Sequence, residues 1–140
     1  MPERAARILA ACVECESTLQ AASDVVHDLT LRTCFAAHAH AWREATATLS
    51  AMTPPDVHRD ALRAARATLR RAWIHVKAAA NEQHLIYAEC QRCAEHARQL
   101  LSDALERNDV PDRTPQYRAV LERVAVHACT RCLCDTGAAT

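Results

Sequence analysis

A single glycine and five prolines in 140 residues leave the chain few places to turn, while its load of Ala, Leu, Arg and Glu favours long helices. An all-α protein follows. Lysine occurs once, and Lys plus Arg (17) balances Asp plus Glu (17). No net field therefore draws in nucleic acid or an anionic membrane, and partners must be found by surface shape. Apolar runs are also short. None approaches the ~20 residues of a bilayer span, and MPERAARILAACVEC breaks its apolar residues with charges instead of forming a signal core. The expectation is a cytoplasmic protein of one domain.

Cysteine, by contrast, is abundant, with eight in the chain. In a reducing compartment they are not expected to build a disulfide framework, and an all-helical chain of this length has enough core to manage without one. Thiol, thiolate or metal ligand remain as their roles.

Apolar spacing places the helices. Ile8, Cys12, Cys15, Leu19, Ala22, Val26 and Leu29 recur at spacings of four and three, the seam of a helix over about 3 to 27. Asp28 or Thr30 can cap a second helix over about 30 to 52, with Leu31, Phe35, His38, Trp42, Ala45, Leu49 and Met52 inward and Cys34 beside His38. TPPD breaks the chain, with Thr53 as cap and Pro54 or Pro55 opening a helix over about 56 to 80 that turns Leu62, Ala65, Leu69, Trp73, Val76 and Ala80 to one face. After Asn81, Ile86, Cys90, Cys93, Ala97, Leu100 and Ala104 line a helix over about 83 to 107. Thr114 and Pro115 open the last, over about 114 to 135, with Tyr117, Val120, Leu121, Val124 and His127 or Ala128 inward. The four helices other than 56 to 80 match in length. The expected architecture is a ferritin-like up-down four-helix bundle, with 56 to 80 as a long helical crossover between its second and third helices.

Four segments in order, LQAASDVVHDLTLRTCF (19 to 35), RRAWIHVKAA (70 to 79), AECQRCAE (88 to 95) and VLER (120 to 123), resemble a bacterial ferritin-like family of unknown function. Its typical segments read YREAAEDVKDPELKALF, HRGWxDLKAAL, ECERGED and LLER. The resemblance implies the bundle fold and no established activity. Glu16 and Glu89 match acidic positions of that family. Elsewhere this chain departs from it: Leu19 replaces an aromatic, Cys93 a glycine, Ala94 an acid, His127 an acid and Cys132 a histidine. Inward positions have drifted toward thiol and imidazole.

Three CxxC pairs carry the chemistry: Cys12 with Cys15, Cys90 with Cys93, and Cys129 with Cys132. On a helix, residues i and i+3 share a face, so each pair aims two soft sulfurs one way, as Cu(I), zinc or an iron-sulfur cluster requires. None has the glycine or loop of a zinc knuckle, and no CxxCH supports haem attachment. A thioredoxin-like dithiol needs a helix N-terminus beside a βαβ unit, and Cys90 and Cys93 lie two turns inside a helix. A di-iron centre needs ExxH on two helices, and the chain has none, which argues against ferroxidase chemistry.

Along such a bundle His38, Cys90, Cys93 and His127 share a level roughly 10 to 17 Å from one end, with Cys15 and Glu16 slightly deeper. The candidate metal ligands are thus Cys12, Cys15, Glu16, Cys34, His38, Glu89, Cys90, Cys93, His127, Cys129 and Cys132. Each has a plainer reading. Cysteine packs as a small hydrophobe, a seam histidine is commonly neutral and hydrogen-bonded, and carboxylates beside a seam are commonly rim groups. His40, His58, His75, His84 and His96 read as surface residues. Arg63, Arg66, Arg70 and Arg71 read as a solvated face, open to a second subunit. Three functions are compatible: copper(I) or zinc binding for storage, buffering or sensing without turnover; a structural or stress-associated bundle acting through helix-face association with itself or a partner; and a thiol redox sensor using Cys129, Cys132 and Cys134.

Overall fold

The computed structural model describes residues 2–78, 82–107 and 111–127. Of these, 93% are helical and none is in a strand. Five α-helices follow one another: α1 (Pro2–Val25), α2 (Leu29–Ala51), α3 (Pro55–Ala78), α4 (Gln83–Glu106) and α5 (Thr114–His127), with a single 3-10 turn at Pro111–Arg113 before the last. The expected extension of the last helix to residue 135 lies outside the described residues.

The breaks have local causes. Asp28 is in extended conformation, and its carboxylate accepts the Leu31 N–H at 3.0 Å, capping α2. At the next break the Thr53 hydroxyl donates back to the Leu49 carbonyl at 2.6 Å. Thr53 therefore closes α2 and does not cap α3, as its place before two prolines had suggested. The Pro54 carbonyl takes the first helical bond of α3 from His58 N–H at 2.9 Å. Pro55, which has no amide proton to satisfy, stands at the first helical position.

α1 is the hub. It packs on α2, α3 and α4, while α2 and α4 each pack on α5, so α1, α2, α5 and α4 close a ring. α3 lies outside the ring, seated mainly on α1 and only lightly on α4. Its buried face explains the seat: Val57, Ala61, Ala65 and Val76 are small enough to let two backbones approach closely. The contact between α1 and α2 is pinned by Ser23, whose hydroxyl donates to the Arg32 carbonyl at 3.0 Å, and by Arg43, which bonds Glu16 at 3.1 Å and Gln20 at 3.2 Å.

One contiguous core runs through the ring, and Phe35, Ile8, Leu9, Ile86 and Leu101 are its largest fully buried side chains. Each such burial contributes roughly 1.5–3 kcal/mol. Among the described residues the expected seams hold with four corrections; the side chains of Trp73 and His127, and residues Ala80 and Ala128, lie outside them. Leu29 is exposed at the first turn of α2 instead of ending the α1 seam. Ala39, not His38, occupies the core between Phe35 and Trp42: both positions fit the helical spacing, and packing against the neighbouring helices turns the small Ala39 inward and leaves His38 half-buried on the flank. On α3, Leu62 is exposed and Ala61 takes the inward place; on α4, Leu101 displaces Leu100 from the core. The last three corrections are rotations by one residue. Among the described residues, no helix is long and apolar enough to cross a membrane.

Candidate functional site

Cys12 and Cys15 lie on the face of α1 that meets α4, and Cys90 and Cys93 lie on the face of α4 that returns the contact. All four are free thiols, buried to 0–3% exposure, and belong to the one apolar core. Helical spacing puts each pair on one stripe. What tertiary packing adds is the register that sets the two stripes against each other. Cys15 is the meeting point, close enough to Cys93, Cys12 and Cys90 for all three to oppose its ionisation.

Burial governs the charge of these thiols. Desolvation first, and the Glu16 carboxylate second, push Cys12 up to about 12. Cys15 and Cys90 rise well above the ordinary thiol value, chiefly by desolvation and then by the neighbouring sulfurs. Cys93 is raised least, to about 11: desolvation lifts it, while a hydrogen bond with Thr18 and the nearby Arg92 charge hold it down. At neutral pH the cluster is therefore four neutral thiols. They become soft-metal ligands only by giving up protons.

Cys93 is where the cluster meets polar groups. Its Sγ lies 3.7 Å from Glu14 Oε1 and 3.8 Å from Thr18 Oγ1, both on α1, and 4.0 Å from Glu89 Oε1 on its own helix. The Arg92 guanidinium sits over this group, with Nη2 2.6 Å from Glu89, 3.6 Å from Glu14 and 3.4 Å from the Cys93 sulfur. The Glu89 hydrogen bond, above all, holds Arg92 firmly protonated. Two grooves run up to this rim along the seam between α3 and α4. One, of about 540 Å³, has Ala6, Ala10 and Ala11 of α1 among its walls and includes Glu14 and His96. The other, of about 480 Å³, is lined in part by Ile86, Glu89 and Arg92.

Of the other residues singled out by sequence, Glu16 pairs with Arg43 of α2 while remaining near Cys12. His38 and Cys34 are half-buried on α2. Cys34 is disulfide-bonded, a departure from the expectation of thiols alone. The side chain of His127, and all of Cys129 and Cys132, lie outside the described residues, as does Cys134. His40, His84 and His96 are exposed, as are Arg63, Arg66, Arg70 and Arg71; His58 is half-buried. Sequence reasoning passed over Glu14, Thr18 and Arg92. The spacing of Glu89 and Arg92, i and i+3, already marked an ion pair, and Glu14 and Thr18 share a stripe one turn apart on α1. Their convergence on Cys93 depends on interhelical register.

Among the described residues, no three His, Cys, Asp or Glu side chains are disposed as a ready-made metal cage. No protein-family model, curated protein or solved structure matches the chain.

Proposed function

We propose that this chain is a ferritin-like helical bundle that binds a soft or borderline metal ion on the thiols of Cys12, Cys15, Cys90 and Cys93, for storage, buffering or sensing. The observation that carries the reading is the meeting of two CxxC pairs from different helices at positions an ordinary core fills with Leu, Ile or Val. The ferritin-like reading draws support from the ring of α1, α2, α4 and α5 with α3 outside it. Copper(I) suits the setting better than zinc. Two thiolates on a monovalent ion leave one net negative charge in the apolar core, whereas four on a divalent ion leave two, and uncompensated buried charge is costly.

Titration of the fully reduced protein with Cu(I) and with zinc at two pH values tests the proposal. Stoichiometric uptake that tightens with pH, and that is lost in the Cys90→Ala/Cys93→Ala double variant, is the expected result. Absence of tight binding at either pH removes the reading.

One observation favours a second reading, in which the cysteines only pack and the bundle acts by association: the described donors form no ready-made cage. The double variant would then change stability by only a few kcal/mol, and wild-type protein purified under reducing conditions would contain no metal.

A further inference from the structure

Arg92 stands where a cation would stand. Its guanidinium touches two carboxylates and a sulfur from two different helices, Glu14, Glu89 and Cys93. The surrounding geometry is that of a mouth. The carboxylates are held mostly out of water, with side-chain exposures of 13% for Glu14 and 19% for Glu89, whereas Arg92 is 56% exposed and rooted on the outer side of α4. A long, half-exposed side chain can swing outward without disturbing the core. The carboxylates are more enclosed, and Glu14 reaches across from α1 to Cys93 on α4. The groove containing Glu14 and His96 and the groove containing Glu89 and Arg92 both end here. They run beside α3, which is seated lightly on α4.

We infer that Cys93, flanked by Glu14 and Glu89, is the loading point through which a soft monovalent cation reaches the four-thiol core, and that Arg92 is the gate that fills this point until a cation displaces it. The inference rests on the metal-binding reading above and adds its route and its regulation. The two carboxylates attract the incoming ion, whose charge then expels the guanidinium, since two cations cannot share so small a carboxylate pair. At Cys93 a Cu(I)–S bond forms as the S–H bond breaks. The proton passes to Glu14, already the nearest oxygen acceptor of that thiol, and from there to water. Copper remains Cu(I) throughout. Cys15, which lies close to Cys93 and to the other two sulfurs, is the next ligand inward.

Two measurements on the reduced, full-length protein test the gate, each on wild type, Arg92→Ala, Arg92→Lys and Glu14→Gln/Glu89→Gln, with helical content checked by circular dichroism. In the first, N-ethylmaleimide labelling mapped by mass spectrometry orders the core thiols in the metal-free protein. Cys93 is expected to react before Cys12, Cys15 and Cys90, faster in Arg92→Ala and near the wild-type rate in Arg92→Lys. In the second, uptake of Cu(I) from its cationic acetonitrile complex is followed by the near-ultraviolet thiolate-to-copper band. The carboxylate variant is expected to load about tenfold more slowly, at the low end of electrostatic focusing, and Arg92→Ala to load faster, both to the wild-type stoichiometry. Labelling of Cys12, Cys15 or Cys90 before Cys93, or loading rates indifferent to all three variants, would overturn the gate and leave the metal-binding reading standing. A wild-type protein that takes up no Cu(I) would overturn both the metal-binding reading and the loading route, whatever the labelling order.

Discussion

The sulfur of Cys93 on α4 lies 3.7 Å from the carboxylate of Glu14 on α1, so the one core thiol in contact with polar groups faces an acceptor supplied by a different helix. The other three are buried in the apolar core, with Glu16 near Cys12 and Glu89 near Cys90. This asymmetry divides the cluster into an outer thiol and an inner set, and several measurable consequences follow from the cost of ionising either.

Alkaline pH should destabilise the fold. The buried thiols keep their protons in the folded state to pH values above the 9.0 of an ordinary thiol, Cys93 to about 11 and Cys12 to about 12. The unfolded chain therefore binds fewer protons between those values, and stability falls as pH rises. The thiol contribution is fully present below about pH 9 and is lost progressively up to about pH 12, at no more than about 1.4 kcal/mol per pH unit for each thiol. Urea denaturation at pH 8 and pH 10 under reducing conditions should show a lower midpoint at the higher pH. Replacement of Cys12 and Cys93 by Ala should reduce that difference and leave the part that Cys15 and Cys90 contribute.

Metal uptake should release protons in the neutral range. Each thiol that becomes a ligand is protonated beforehand, so one proton leaves per metal–sulfur bond formed. Cu(I) titration in two buffers of different ionisation enthalpy, read by calorimetry, should give about two protons per ion for a two-sulfur site. A value near zero would mean that these thiols are not the ligands.

Trp42 is 2% exposed and packs in the same core as Phe35 and Leu49. Trp42→Ala should cost about 3–5 kcal/mol, the range for emptying an aromatic site in a core that relaxes only partly. Chemical denaturation monitored by far-ultraviolet circular dichroism measures it. His38→Ala, one turn away and half-buried on the flank, should cost clearly less.

Asp28 supplies the side-chain cap of α2 through the Leu31 N–H. Asp28→Ala should cost about 1 kcal/mol, and Asp28→Asn much less, because the amide oxygen still accepts that bond. Thermal melting of the three proteins gives the comparison. The outcome separates a cap that acts by hydrogen bonding from one that acts only by charge at the helix N-terminus.

The extents of the first four helices and most of the described inward residues were legible without coordinates. Proline, asparagine and aspartate punctuate a chain otherwise built of helix formers, and apolar spacing in Ile8–Cys12–Cys15–Leu19 or Ile86–Cys90–Cys93–Ala97 allows one buried face. Apart from Leu29, which opens α2 and does not belong to α1, the reading slipped by one position, as at His38 and Ala39 or Leu100 and Leu101. A helix can rotate through one residue and still bury an amphipathic stripe, and only its neighbours decide the final angle.

The shared face of Cys12 with Cys15 on α1, and of Cys90 with Cys93 on α4, was determined by the sequence alone, since residues i and i+3 of a helix lie on one side of it. That the α1 pair meets the α4 pair, that Glu14 reaches Cys93, and that Arg92 covers both were decided by tertiary structure. Those contacts require an axial offset between two helices separated by more than fifty residues. That offset is set by how α2, α3 and α5 pack around them, which is a property of the whole core that no local pattern carries.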